Sequence, residues 1–213
     1  KLDNKIMQLE KEQAIFKKER IRAERKIAAG QGEIEKAKRT EADFKRDLEY
    51  INSYNGTKAT LLLNLPQAST EEVGRELHRI AKTYRNGAYG TVGTYAGLNL
   101  LVHSEYNMDG TFDRNTFFVE GISGLKYRCG LSGALPLGFV ESAQYPHGAL
   151  SKLPSLIEKQ QKAVERIESE IPTLQKIVCR QWSKTDELSR LKQECKELQH
   201  RIDESLKEAE QPQ

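Results

Sequence analysis

The sequence predicts an α+β protein, a long antiparallel coiled-coil hairpin carrying at its tip a small antiparallel-sheet domain of one helix and about five strands. Three observations predict it. Heptad-patterned stretches of similar length flank the chain, and the middle, 57–150, has a different composition. The charge is dense and of mixed sign, with 34 Lys+Arg against 31 Asp+Glu in 213 residues and a formal net charge of +3. Charged residues make up 31 % and aromatics 7 %, too few core-forming side chains for one large compact enzyme domain but a composition that suits long solvated helices.

The first helix is expected over 1–52. From Leu2 an alternating 4,3 spacing runs through Ile6, Leu9, Phe16, Ala23, Ile27, Ile34, Ala37, Phe44, Leu48 and Ile51. Of 15 seam positions in that register 11 are apolar, the exceptions being Gln13, Arg20, Gly30 and Glu41. Lys, Arg and Glu fill the remaining positions, as a coiled coil requires. Small residues at Ala23, Gly30 and Ala37 predict a close helix approach or a bend. The turn residues Asn52-Ser53-Tyr54-Asn55-Gly56 end the helix.

The domain 57–150 holds most of the Gly, Tyr and Phe. Residues 60–65 form a β-prone run stopped by Pro66. Ser69-Thr70-Glu71-Glu72 is a capping box, and Val73, Leu77, Ile80 and Ala81 form the apolar stripe of the helix it opens. Strands are then expected at 90–95, 98–104, 116–119 and 125–129, separated by Gly- and Asn-containing turns at meander spacing. The order β-α-β-β-β-β follows.

The third part, 153–208, repeats the heptad pattern. Ile157, Val164, Ile167, Ile171, Leu174 and Val178 keep one register, and Leu188, Leu191, Cys195, Leu198 and Ile202 keep another. A break is expected near 172–186, where Pro172 interrupts the ladder and Ser183 or Thr185 offers an N-cap for a restart. A helix of 50 residues is about 75 Å long, and the second helical part nearly matches it. Matched seams favour pairing within one chain, a monomer, over a dimer.

No run approaches 18 consecutive apolar residues, so no membrane contact is expected. The chain opens on Lys1 with no secretory pattern, which suggests a piece of a larger protein. Three cysteines without CxxC spacing suit a reducing, cytoplasmic setting.

Catalytic motifs do not emerge. Gly90, Gly93 and Gly97 sit in a strand and turn without GxGxxG order, and no P-loop occurs. His78, His103, His147 and His200 lack metal-ligand spacing. Cys129 is a nucleophile candidate beside His103 only if the strands bring them together, and a small half-buried residue is the plainer reading. The expectation is a non-enzyme with no catalytic, cofactor-binding or metal-binding residue and no cofactor.

Binding residues are easier to nominate. Residues 17–26 are the one local basic concentration, and Lys17, Lys18, Arg22, Arg25 and Lys26 could neutralise phosphates, joined by Arg75, Arg79, Lys82 and Arg85 on the domain's helix. The alternative is a solvated face offset by acidic residues of the C-terminal helix. Tyr84, Arg85, Tyr89, Tyr95, Tyr106, Arg114, Phe117, Tyr127 and Arg128 are a supply for a stacking platform, unless they build the core.

Several segments carry a resemblance. These are Val73-Gly74-Arg75-Glu76-Leu77, Gly90-Thr91-Val92-Gly93-Thr94-Tyr95-Ala96-Gly97-Leu98-Asn99-Leu100, Leu125-Lys126-Tyr127-Arg128-Cys129, Leu153-Pro154-Ser155-Leu156 and Trp182-Ser183-Lys184-Thr185-Asp186-Glu187-Leu188-Ser189-Arg190-Leu191-Lys192. Together they resemble the C-terminal coiled-coil and α+β region of very large helicase and DNA-methylase-like proteins of bacterial conjugative elements and phages. Gly97-Leu98 stands where that pattern has Gly-Phe, and the turn 107–115 is longer. The resemblance implies a DNA-acting parent, an ATP-dependent helicase or a DNA methyltransferase, whose motor and methylase motifs lie outside these residues. No catalytic residue carries over. The implied function is a non-catalytic, helicase-associated module contacting DNA, the rest of its parent chain or a protein partner; a purely structural or oligomerising scaffold with a protein-binding tip is the alternative.

Overall fold

The heptad seam folds as its spacing dictates. In the computed structural model, which describes residues 1–54, 61–63, 68–130 and 135–209, α1 runs unbroken over Leu2–Tyr54. It passes straight through Gly30 and Gly32. Every expected seam position is buried or half-buried except Arg20, whose guanidinium turns to Glu24 at 3.1 Å. The expected turn at Asn55-Gly56, residues 60 and 64–65 of the first expected strand, and Pro66 lie outside the described residues.

The remaining elements are β1 Leu61–Leu63, α2 Thr70–Thr83, β2 Gly90–Tyr95, β3 Leu98–Tyr106, β4 Phe112–Glu120, β5 Lys126–Arg128, α3 Phe139–Ala143, α4 His147–Leu150, α5 Leu153–Cys179 and α6 Thr185–Ala209. The protein is therefore α+β, with an antiparallel sheet and long helices. It divides into two compact units, Glu35–Val164 on one hand and Lys1–Ile34 with Glu165–Gln213 on the other.

In the unit Glu35–Val164, strands β2 to β5 form an antiparallel meander, and the backbone of β1 is registered on β2. Opposed pairs Leu100/Val119 and Val102/Phe117 fill one face, where Val73, Leu77 and Ile80 of α2 join them in the core. Ser69 caps α2 as its sequence predicts: its side chain accepts from the Glu72 amide while Glu72 reaches back to the Ser69 amide. The other end of α2 is closed from the sheet. Buried Asn115 donates through Nδ2 to the carbonyls of Ala81 and Tyr84, both at 2.9 Å, and Ser104 donates to its Oδ1 at 2.7 Å. A helix end left without partners in the core would be costly, and this pair removes the cost.

The expectation of one helix in this domain is corrected, because α3 and α4 add two short ones whose residues Ala143, Ala149 and Leu150 enter the same core. Their five- and four-residue lengths are too short for helical periodicity to register in sequence.

α1 is fastened to this unit by a buried acid. Asp47 is 0 % exposed, and its carboxylate accepts from the Ser123 amide at 2.9 Å, the Ser123 hydroxyl at 2.6 Å and the Tyr127 hydroxyl. Gly121 permits the approach, since a Cβ there would collide with the Asp47 carboxylate.

In the other unit, Asp3 meets Cys195, Glu12 meets Lys184 and the Gly30 backbone faces Ile167, so the paired stretches run in opposite directions. A Cβ at Gly30 would be 2.9 Å from Ile167 Cγ2, which is the close approach its sequence position predicts. Leu9, Leu188 and Leu191 form a small core under Trp182. In the C-terminal region one expectation is narrowed, the break near 172–186, and one is corrected. The helix continues through Pro172 to Cys179, so the break is confined to residues 180–184. Pro172 sits on the exposed side, where water can satisfy the carbonyl that loses its N–H partner. Neither Ser183 nor Thr185 is the N-cap; Thr185 is already helical and its hydroxyl donates to the Trp182 carbonyl at 2.8 Å.

Asp47→Ala strips partners from buried donors and is expected to destabilise the protein by about 3 kcal/mol in urea unfolding. Burial, and then the Asp47 carboxylate, push the Tyr127 phenol above its ordinary 10.0. The folded protein then keeps a proton that the unfolded chain loses, so this stability is complete below about pH 10 and declines as pH rises past it. Tyr127→Phe should flatten that alkaline decline, checked by urea midpoints between neutral pH and about pH 11.

Candidate functional site

A band of exposed charge marks the candidate site. α1 displays Lys11, Lys18, Arg22, Arg25 and Lys26 within an arc of roughly 100°, and no acid falls on that arc between residues 11 and 29. All five are exposed. Lys17, also nominated by sequence, lies off the arc. The side chains of Lys17, Lys18, Arg22, Arg25 and Lys26 have no ion pair or hydrogen bond among the described residues.

The cross-helix ion pairs fall elsewhere on α1, at Lys5–Glu187 (2.8 Å), Glu10–Lys192 (2.6 Å) and Glu12–Lys184 (2.7 Å). There Lys184 holds the Glu12 carboxyl below its ordinary value. The acidic offset expected for the 17–26 band is thus used near the N-terminus and leaves the band uncompensated. Beside the band, Arg22, Ala23 and Lys26 of α1 face Leu174, Ile177 and Arg180 across a groove of about 390 Å³, with Glu19 at its edge. Arg180, also without a side-chain partner among the described residues, was invisible to sequence reasoning. It is one of two cations in the helix break, the other, Lys184, being paired with Glu12, and only folding sets it opposite the band.

The cations of α2 behave differently. Arg75 pairs with Glu71 at 2.7 Å, and Arg79 forks onto both oxygens of Glu76 at 2.7 and 2.6 Å. Arg85 lies over the Phe112 ring, 3.5 Å from its centroid, and donates to the Tyr84 carbonyl. Only Lys82 of that set is without a side-chain partner among the described residues. These pairs sit one helical turn apart and consume the charge that a phosphate would need.

Aromatic residues divide between core and surface. Tyr95, Phe117 and Tyr127 are buried in the core. Tyr89 is exposed on the opposite face of the sheet, against His103 (4.9 Å) and Phe118 (5.4 Å), with the Lys126 ammonium 5.1 Å from its ring. Arg114 and Arg128 both reach Glu105.

Cys129 and His103 do not meet. The register that pairs His103 with Thr116 and bonds Cys129 N–H to the Phe117 carbonyl puts them on opposite faces of the sheet. Burial pushes the Cys129 thiol up to about 12, which makes it a neutral packing group at physiological pH. His78 Nε2 is held by the Pro136 carbonyl and the Ser142 hydroxyl, both at 3.0 Å, and His147 Nδ1 by the Tyr95 hydroxyl at 3.2 Å. Among the described residues no group of His, Cys, Asp and Glu is placed to hold a metal ion, and no helix is long and apolar enough to cross a membrane. Titration of the native protein with a thiol-reactive disulfide at pH 8 should label exposed Cys179 within minutes, while Cys129 reacts only after denaturant is added.

A family model described as Domain of unknown function (DUF8438) matches residues 45–150. That stretch contains Asp47, the sheet and α2 to α4, and it excludes the unpaired cationic face. No curated protein and no solved structure matches the chain.

Proposed function

We propose that this chain is a non-catalytic accessory module of a larger DNA-acting protein, of the helicase or methylase-like kind carried by bacterial mobile elements. In this reading an intramolecular antiparallel coiled-coil hairpin presents a small α+β domain, and the hairpin contacts nucleic acid through its phosphates. The observation that carries the reading is the uncompensated face of Lys18, Arg22, Arg25 and Lys26, with Arg180 across the groove. Arginine and lysine side chains held on a helix without ion-pair partners among the described residues suit sequence-independent binding, in which counterion release supplies the affinity. The face carries no exposed aromatic ring, so base stacking has no part in it and duplex backbone is the substrate class that fits.

A second reading, a structural or oligomerising scaffold, has its own support. Leu198, Ile202 and Leu206 of α6 are 44 %, 53 % and 58 % exposed at seam spacing, a stripe that another helix could cover.

Fluorescence anisotropy with a labelled duplex separates the two. With four phosphates neutralised, the logarithm of affinity should fall against the logarithm of salt with a slope of about −3 to −4. The pair Arg22→Glu and Lys26→Glu should weaken binding by about ten-fold or more, and Arg79→Glu, whose charge is already paired, should change it little. Absence of binding at roughly 50 mM salt, together with a dimeric mass by light scattering, would replace the nucleic-acid reading with the scaffold.

A further inference from the structure

A different surface, on the unit Glu35–Val164, presents the outer edge of the sheet. Gly121 N–H bonds the Leu125 carbonyl and Cys129 N–H bonds the Phe117 carbonyl, while Val119 stands opposite Tyr127. Antiparallel pairing therefore directs the backbone groups of 125, 127 and 129 at β4. Lys126 and Arg128, the residues between, aim their N–H and C=O groups the other way. β5 is the last strand in the sheet order, and no described residue takes up those four groups.

Along this free edge runs a groove of about 480 Å³, lined by Phe44, Leu125, Tyr127, Ala149 and Leu156 and by the cations Lys126, Arg128 and Lys152, with Gly130 at its end. Its lining has no acidic side chain. Lys126 and Arg128 are engaged from the outer face of the sheet, by Glu120 at 3.2 Å and Glu105 at 3.4 Å. Lys152 is half-buried and has no side-chain ion pair or hydrogen bond among the described residues. Strand edges left open are ordinarily blocked or covered; among the described residues this one faces an apolar trough with a cation at its wall.

We propose that this groove receives an extended acidic peptide segment of a partner protein, which adds a strand to β5. Its backbone pairs with Lys126 and Arg128, an apolar side chain enters between Phe44 and Leu156, and a neighbouring carboxylate meets Lys152. Main-chain pairing supplies affinity in such a mode and the alternate side chains supply specificity. The outward backbone groups and the cation Lys152, in a described lining without an acid, are separate observations, and together they favour an extended acidic chain over a helix or a nucleic acid.

The test uses the full chain and a fluorescein-labelled peptide of alternating sequence Glu-Val-Glu-Leu-Glu-Val, with a control in which every Glu is Lys. Hydrogen exchange read by NMR should show the Lys126 and Arg128 amides exchanging fast in the free protein and slowing by about ten-fold or more on saturation with the acidic peptide. Lys152→Glu should weaken binding by about ten-fold, the loss expected of one charge-assisted contact turned repulsive. Arg128→Pro removes an outward N–H that the sheet does not use. It should keep the native circular dichroism and still lose binding. The proposal is overturned if the acidic peptide does not bind at millimolar concentration, if the lysine control binds as well, if binding leaves both amides unprotected, or if light scattering shows the edge taken up by a second copy of the chain.

Discussion

A single buried carboxylate holds the last turns of α1 in the unit Glu35–Val164. Asp47 accepts three hydrogen bonds from Ser123 and Tyr127. Without those donors its place in the core would be prohibitive, because an ionised group removed from water must be paired or hydrogen-bonded. Since the donors sit on and beside the β4–β5 turn, the bond network fixes the rotation of α1 about its axis. That rotation turns Phe44, Leu48 and Ile51 onto the domain core. It also brings Phe44 to the edge of β5, 6.1 Å from Tyr127 between ring centroids, so the groove proposed as a peptide site depends on the same bond. The family match at 45–150 takes in both partners of this network, so the matched stretch is closed by its own hydrogen bonds and includes the end of α1.

The two sets of cations differ in what surrounds them, not in residue type. On α2 an acid stands three or four residues before each of Arg75 and Arg79, and the helix geometry pairs them without further help. On α1 the acids nearest the band, Glu19 and Glu24, are either off the cationic arc or engaged with Arg20, and the cross-helix acids lie elsewhere. Surface ion pairs of this kind add little to stability, so their consequence is electrostatic. They cancel the field of one helix and leave that of the other intact.

The polar interior of the domain follows one rule throughout. Asn115 and Ser104 close the end of α2, Ser142 and Pro136 hold His78, and Tyr95 meets His147, so no buried side-chain nitrogen or oxygen among the described residues is left without a partner. These contacts hold short elements in place: His78 of α2 is tied to Ser142 of α3, and Asn115 of β4 to the end of α2.

What the sequence determined by itself was every feature with a local cause. The seam from Leu2 to Ile51 was legible because helical spacing repeats, the capping box at Ser69 because its two hydrogen bonds span three residues, and strand 90–95 because glycine and turn residues bound it. The C-terminal break was legible but drawn too wide, since Pro172 reads as an interruption wherever its solvent exposure is unknown. α3 and α4 were too short for any period to show. Tertiary structure alone decided the rest. Asp47 looks like one more flank charge of a heptad until Tyr127, eighty residues away, is folded against it. Arg180 acquires neighbours only across the helix pair, and the free edge of β5 exists only once the strand order is set. Contacts between distant residues depend on which faces meet, and that is fixed by the packing of the whole chain, not by any window of its sequence.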